Sequence, residues 1–141
     1  MAPDVAVGGR LALPPVLVRR VVRAVAAAER PRRRLGQLSV TFLGPVRMRR
    51  LNRRHLRHDR VTDVIAFALR VPGGGLVGDV YVCRAVAARQ AREAGCSVRE
   101  ELIRLVIHGT LHVLGHDHPA GPGRTHSVMW RRQERLVGRL A

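Results

Sequence analysis

Between Ser97 and Gly115 the sequence specifies one helix from cap to stop. Ser97-Val98-Arg99-Glu100 has the form of a capping box: the serine hydroxyl accepts from the Glu100 amide, and the Glu100 carboxylate reaches back. Leu102, Leu105 and Val106 follow at helical spacing, the helix runs to about Leu114, and Gly115 ends it. His108 and His112 lie four residues apart within it, so both imidazoles project from the same face.

The segments before and after this helix read as short strands and further helices. Asp4 to Val7 suits a first strand, and Pro14-Pro15 opens a helix to about Glu29, because a first-turn proline gives up an N–H that has no partner there. Pro31 to Arg34 reads as a turn or loop. Gln37 to Leu43, with Val40, Thr41 and Phe42, reads as a strand. Gly44-Pro45 then starts a short helix through Met48 to about Arg54, and His55 to Arg60 reads as polar loop. Thr62 to Leu69 and Leu76 to Cys83 are strands joined through Gly73-Gly74-Gly75, an antiparallel hairpin by the shortness of its connection. Helices over Arg84 to Glu93, closed by Gly95, and over Thr125 to Leu140 complete the pattern. With no repeat or low-complexity linker in 141 residues, a single domain over 1–141 is expected. Its class is α+β, or mixed α/β, with a small mixed sheet of about four strands.

His108, His112 and His118 make the pattern H-x3-H-x2-G-x2-H. Two imidazoles one helical turn apart can share an ion at about 2.0–2.1 Å, and a chain turning at Gly115 can bring a third to it. Three neutral nitrogens leave a fourth position open, as in a catalytic rather than a structural zinc. One group of zinc peptidases uses the same spacing, which makes the expected helix zincin-like. Those enzymes, however, place a glutamate base directly after the first histidine, where this chain has Gly109. Proteolysis is therefore disfavoured, and a zinc acting as Lewis acid on a phosphoryl oxygen fits better. Asp117 either accepts from a ligand imidazole or caps the turn, and His116 reads as a turn residue. His126 reads as structural, and His55 and His58 as loop residues.

Charge points to the same class of substrate. The chain carries 26 basic residues against 10 acidic ones, a formal net charge of +16, and every basic residue is arginine. Such a field attracts polyanions, and the planar guanidinium suits phosphate. Arg53, Arg54, Arg57 and Arg60 are the expected nucleic-acid phosphate contacts (RNA-binding, should the substrate be RNA), and Asp63 joins Asp117 as a candidate to orient water or ligand. Only four aromatic residues are present, so an apolar fraction of 46% must pack through Val, Leu, Ile and Ala. Cys83 and Cys96 read as buried small residues. The apolar stretch Leu11 to Ala28 is interrupted by Arg19, Arg20 and Arg23, so it reads as an amphipathic surface helix with no membrane role. No export signal is read at the N-terminus, and a cytoplasmic location is expected.

The histidine stretch, His108-Gly-x-Leu-His112-x-x-Gly115-x-Asp117-His118, resembles the signature of the YbeY endoribonucleases. Leu51-Asn52, His58-Asp59, Thr62-Asp63-Val64-Ile65-Ala66-Phe67, Gly78-Asp79-Val80-Tyr81-Val82, Glu101-Leu102, Met129 and Glu134 resemble the same family, so the likeness spans roughly residues 37 to 137. The resemblance implies one zinc ion per chain on the three histidines and cleavage of single-stranded RNA. It also implies a role in ribosomal RNA maturation (the small-subunit, 16S RNA) and ribosome quality control, with the ribosome and its proteins as partners. Where the family has an aromatic and then an arginine after Leu-Asn-x-x, this chain has His55 and Leu56, with Arg57 one place later. Val61, Ala66 and His116 replace the family's proline, serine and tyrosine. These departures sustain a second reading, a zinc-containing assembly factor that binds ribosomal RNA and cleaves weakly or not at all.

Overall fold

In the computed structural model, which describes residues 2–31, 33–117, 123 and 127–141, strands and helices interleave along the chain. The described elements are β1 (Asp4–Gly9), α1 (Pro15–Glu29), β2 (Leu35–Leu43), α2 (Pro45–Leu56), β3 (Val64–Arg70), β4 (Leu76–Cys83), α3 (Arg84–Ala94), α4 (Val98–Val113) and α5 (Val128–Leu140). The sheet order is β1-β2-β4-β3. β1, β2 and β4 run parallel, and β3 pairs antiparallel with β4. This is the expected small mixed sheet in an α+β chain. Gly73 and Gly74 turn the hairpin with φ of 97° and 95°, a region that side-chain-bearing residues rarely enter.

Strand alternation divides the sheet into two faces with different partners. Leu38, Val40 and Phe42 of β2 and Val80 and Val82 of β4 belong to the main core. They share it with Val18, Val21, Val22 and Val25 of α1 and Leu102, Ile103, Val106, Ile107 and Leu111 of α4. The other face carries a smaller cluster, in which Met48 of α2 packs with Ile65, Cys83 and Val86, and Phe67 and Tyr81 flank it. Of the four aromatic residues only Phe42 is in the main core, which is otherwise aliphatic as composition requires. The Leu11 to Ala28 stretch is amphipathic as read: Arg20 and Arg23 are exposed while Val18, Val21, Val22 and Val25 are buried. No helix among the described residues is long and apolar enough to cross a membrane.

Two glycines let α4 lie against the sheet. A Cβ on Gly109 would come within 2.5 Å of Val80 Cγ1 and 3.3 Å of Val64 Cγ2, and one on Gly78 within 2.5 Å of Val113 Cγ1. The position where zinc peptidases keep their glutamate thus faces a packed sheet, and a longer side chain there has no route to a reaction centre. Gly109→Ala gains helix propensity of about 1 kcal/mol, but the overpacking should cost about 1–3 kcal/mol. We expect a net loss, read as a lower midpoint in urea at unchanged m-value; an equal or higher midpoint would show that the helix can move off the sheet freely.

Several boundaries differ from the sequence reading. α2 continues through His55 and Leu56, residues expected in a loop, because the polar run Arg53-Arg54-His55 forms a solvated last turn that stops only where Arg57 turns left-handed at φ 58°. Thr62 and Asp63 precede β3 rather than opening it. The Ser97 hydroxyl does accept from the Glu100 amide at 3.0 Å. The Glu100 carboxylate does not close the capping box, because it is drawn down the helix to Arg104 at 3.1 Å. Cys83 is buried and Cys96 only partly so; both are free thiols. The expected start of the last helix, Thr125 and His126, lies outside the described residues, and α5 begins at Val128 behind a Ser127 cap.

Candidate metal centre

The rings of His108 and His112 face each other edge-on with centroids 4.7 Å apart, as one helical turn dictates. His108 is buried and its Nδ1 lies 2.6 Å from Gln133 Oε1 on α5. The amide orientation is fixed on its far side, where Gln133 Nε2 donates to Glu134 Oε2 at 3.0 Å. An amide carbonyl can only accept, so Nδ1 must carry the imidazole proton and the ring lone pair sits on Nε2. That tautomer is the one a metal-binding histidine needs, held as such ligands usually are, by an acceptor on the other nitrogen.

Glu134 is itself held by Arg104, whose Nε and Nη2 donate to its two oxygens at 2.9 and 3.0 Å. The same guanidinium donates to Glu101 at 2.9 Å and to Glu100 at 3.1 Å. Its hydrogen bonds to Glu134 above all hold Arg104 above its ordinary pKa. Burial pushes the Glu101 carboxyl up, against the downward pull of its Arg104 hydrogen bond. Asp63 completes the group from the other wall: it accepts from the Val64 amide at 2.7 Å and from Gln90 Nε2 at 3.2 Å. Asp63, Glu100, Glu101, Arg104, His108 and Gln133 all line one cleft of about 420 Å³. In a chain so short of acids, the cleft beside His108 gathers four carboxylates, three of them paired with the Arg104 guanidinium.

His112, half-buried, lines a second cleft of about 730 Å³ under the hairpin, whose charged rim is Arg33 and Arg70. Beyond α4, Gly115 turns the chain at φ 101°. His116 Nε2 then meets Glu29 Oε1 at 2.6 Å, which also takes Arg132 Nη1 at 2.9 Å, so this turn is tied to α1 and α5. His116 is thereby held by Glu29 just after the turn. Asp117 is exposed, with Oδ1 3.8 Å from His112 Nδ1. That distance is too long for a hydrogen bond. His118 lies outside the described residues. Among the described residues no three histidine, cysteine or carboxylate side chains are grouped closely enough to hold an ion. The described residues thus supply two neighbouring imidazoles as nitrogen donors, and a complete metal site would need a further ligand.

Arg53, Arg54, Arg57 and Arg60 are exposed at the end of α2 and in the loop after it, and none of them lines either histidine cleft. The loop is held from inside by Asn52, which is buried. Its backbone carbonyl accepts from the Arg57 amide and, at 3.4 Å, from the His58 amide, while its side chain donates to the Arg60 carbonyl at 3.0 Å. Outside, Arg49 grips Asp59 through two hydrogen bonds of 2.8 and 3.1 Å. His55 keeps an aromatic contact, edge-on to Phe67 at 5.4 Å. The sequence reading missed Arg33, Arg70, Gln133 and the roles of Glu101 and Asn52. Glu101 was findable, since it lies two turns before His108 on the same helix face; Gln133 and the two arginines carry no local signal.

Fold and site together define an α+β domain in which a sheet-backed helix presents paired histidines to an acidic cleft on one side and a basic-rimmed cleft on the other. The sequence profile of endoribonuclease YbeY matches residues 15–141, and the chain belongs to that family. Among relatives named endoribonuclease YbeY, that of Moorella thermoacetica is 37% identical over 129 residues, 84% of this chain and 81% of that protein. That of Syntrophotalea carbinolica is 36% identical over 109 residues, 74% and 73% of the two chains. The Aquifex aeolicus protein is 41% identical over 87 residues, and the match spans 60% of this chain but only 58% of that protein's length. The solution structure of TM1509 from Thermotoga maritima superposes with a TM-score of 0.64 at 25% identity, covering 96% of this chain and 88% of the other.

Proposed function

We propose that this chain is a zinc-dependent endoribonuclease that cuts single-stranded RNA in the maturation of small-subunit ribosomal RNA and in ribosome quality control. Its partners would be ribosomal RNA, the ribosome and ribosomal proteins, and its location the cytoplasm. The observation that carries the reading is the pair His108 and His112, 4.7 Å apart, with the proton of His108 held at Nδ1 by Gln133. His118, arriving after Gly115, would complete a zincin-like trio. A zinc ion held there would supply Lewis acidity toward a phosphoryl oxygen and acidify water to a pKa near 7. The chain's own residues do the rest: Arg33 and Arg70 draw backbone phosphates to the His112 side, and Asp63 is fixed by two donors on the His108 side. Arg53, Arg54, Arg57 and Arg60 would add phosphate contacts from the end of α2 and the loop after it, and Asp117, across 3.8 Å from His112, would orient water or that ring.

Elemental analysis paired with cleavage of purified single-stranded RNA, with and without chelator, tests the reading. The wild type should hold one zinc and cut RNA, and His112→Ala should lose both. Full cleavage by His112→Ala in chelator would remove the metal from the mechanism. One observation favours the assembly-factor reading: Leu56, at the family's arginine position, ends α2 with 45% of its surface exposed and offers no charge. A zinc-loaded protein that binds ribosomal RNA and cuts none would decide for it.

A further inference from the structure

A groove on the sheet face turned away from α4 is lined by Thr41, Leu43, Arg47, Arg50, Leu51, Arg54 and Tyr81, with a volume of about 320 Å³. Strand alternation puts Thr41 and Tyr81 opposite Phe42, Val80 and Val82, which face the main core. The sheet therefore separates this groove from the histidines. Its walls differ in chemistry. Arg47, Arg50 and Arg54 recur at i, i+3 and i+7, so they form one row along α2 about 10 Å long. All three are exposed, and among the described residues no carboxylate pairs with them, whereas Arg49 on the same helix is spent on Asp59. Its lining includes one aromatic ring, that of Tyr81, which is braced edge-on by Phe67 at 6.1 Å.

We infer that this groove is a second RNA contact, which holds a single strand against the back of the sheet away from the point of cleavage. The inference rests on the reading of the chain as an RNA-cutting enzyme and adds where the strand is gripped. A row of guanidiniums of this length spans about three successive phosphates at the spacing of a nucleic-acid strand. Bases of a strand so held fall toward the ring of Tyr81, and aromatic stacking of this kind tolerates any base. A sheet that offers aromatics beside a basic helix is a surface on which unpaired nucleotides, unlike a duplex, can lay their bases.

The test is anisotropy of a labelled single-stranded oligoribonucleotide against the full chain, in chelator to stop cleavage, over a series of salt concentrations. Replacing Arg47, Arg50 and Arg54 together with glutamine keeps good helix formers at all three sites. That variant should lower the slope of log K against log salt by about 2, and weaken binding at 0.15 M salt on the order of 50-fold. Tyr81→Leu should weaken binding about tenfold and leave the slope unchanged. Zinc content and thermal midpoint of the triple variant report that the rest of the molecule is intact. Wild-type slope and affinity in the triple variant would overturn the groove and leave the nuclease reading standing. A wild type that binds no RNA at any salt would overturn both. Retained RNA affinity with lost binding to poly-glutamate would assign the row to an acidic protein instead, and overturn the proposal.

Discussion

Arg104→Leu should destabilise the fold by about 3–5 kcal/mol, the usual cost of stripping the countercharge from buried partners. Thermal unfolding should then begin roughly 10–20 °C lower. No other side chain among the described residues holds so much together: one guanidinium, 17% exposed, donates four hydrogen bonds to carboxylates and ties α4 to α5 through Glu134. Without it, Glu101 is left with a buried negative charge, while Glu100 at 37% exposure suffers little. Burial already lifts the Glu101 carboxyl in the intact protein, and loss of Arg104 lifts it further. A carboxyl whose folded pKa lies above its unfolded value favours folding below the unfolded value, and loses that contribution as pH rises through the folded one. The variant should thus recover part of its deficit as the pH is lowered toward 4.3, the ordinary glutamate value. A midpoint within 3 °C of the wild type at neutral pH would mean that water, not Arg104, satisfies these acids.

What was legible in the sequence was what repeats locally. The 98–113 helix, the glycine-turned hairpin and the mixed sheet follow from periodicity, a serine cap and turn residues, all of which act over a few neighbours. The histidine pair was legible for the same reason, since helical geometry alone puts His108 and His112 together. The end of α2 was misread because Arg53-Arg54-His55 is as polar as a loop; it is a solvated last turn, and the His55 ring meets Phe67, a contact twelve residues on that no local pattern announces. Gln133 and Arg70 reach the site from α5 and the hairpin, and no local pattern ties a glutamine 25 residues downstream to a particular imidazole. Gly109 shows the reverse case. The sequence marked it as a missing base, and the structure supplies the reason, a sheet residue 2.5 Å from where its Cβ would stand.

Gln133→Leu should weaken the zinc binding proposed for His108 and His112 about 10- to 100-fold without touching either imidazole, the range found when the acceptor behind a ligand histidine is removed. The chain from Arg104 through Glu134 to Gln133 is three charge-assisted or amide hydrogen bonds deep, and its end product is the proton on His108 Nδ1. Leucine has the volume of glutamine but no oxygen, so Nδ1 loses its acceptor inside the protein at about 1–3 kcal/mol. The neutral ring can escape that cost by moving its proton to Nε2, and this blocks the lone pair that would hold the metal. Two readouts separate this from a general loss of structure: competition with a chelator of known affinity, and the ring-nitrogen chemical shifts of His108 in the metal-free protein, which report its tautomer. Thermal stability will fall in either case. Only a change of tautomer, together with weaker zinc binding, assigns Gln133 to positioning the imidazole; an Nδ1–H ring and wild-type affinity in the leucine variant would show that the ring needs no such hold.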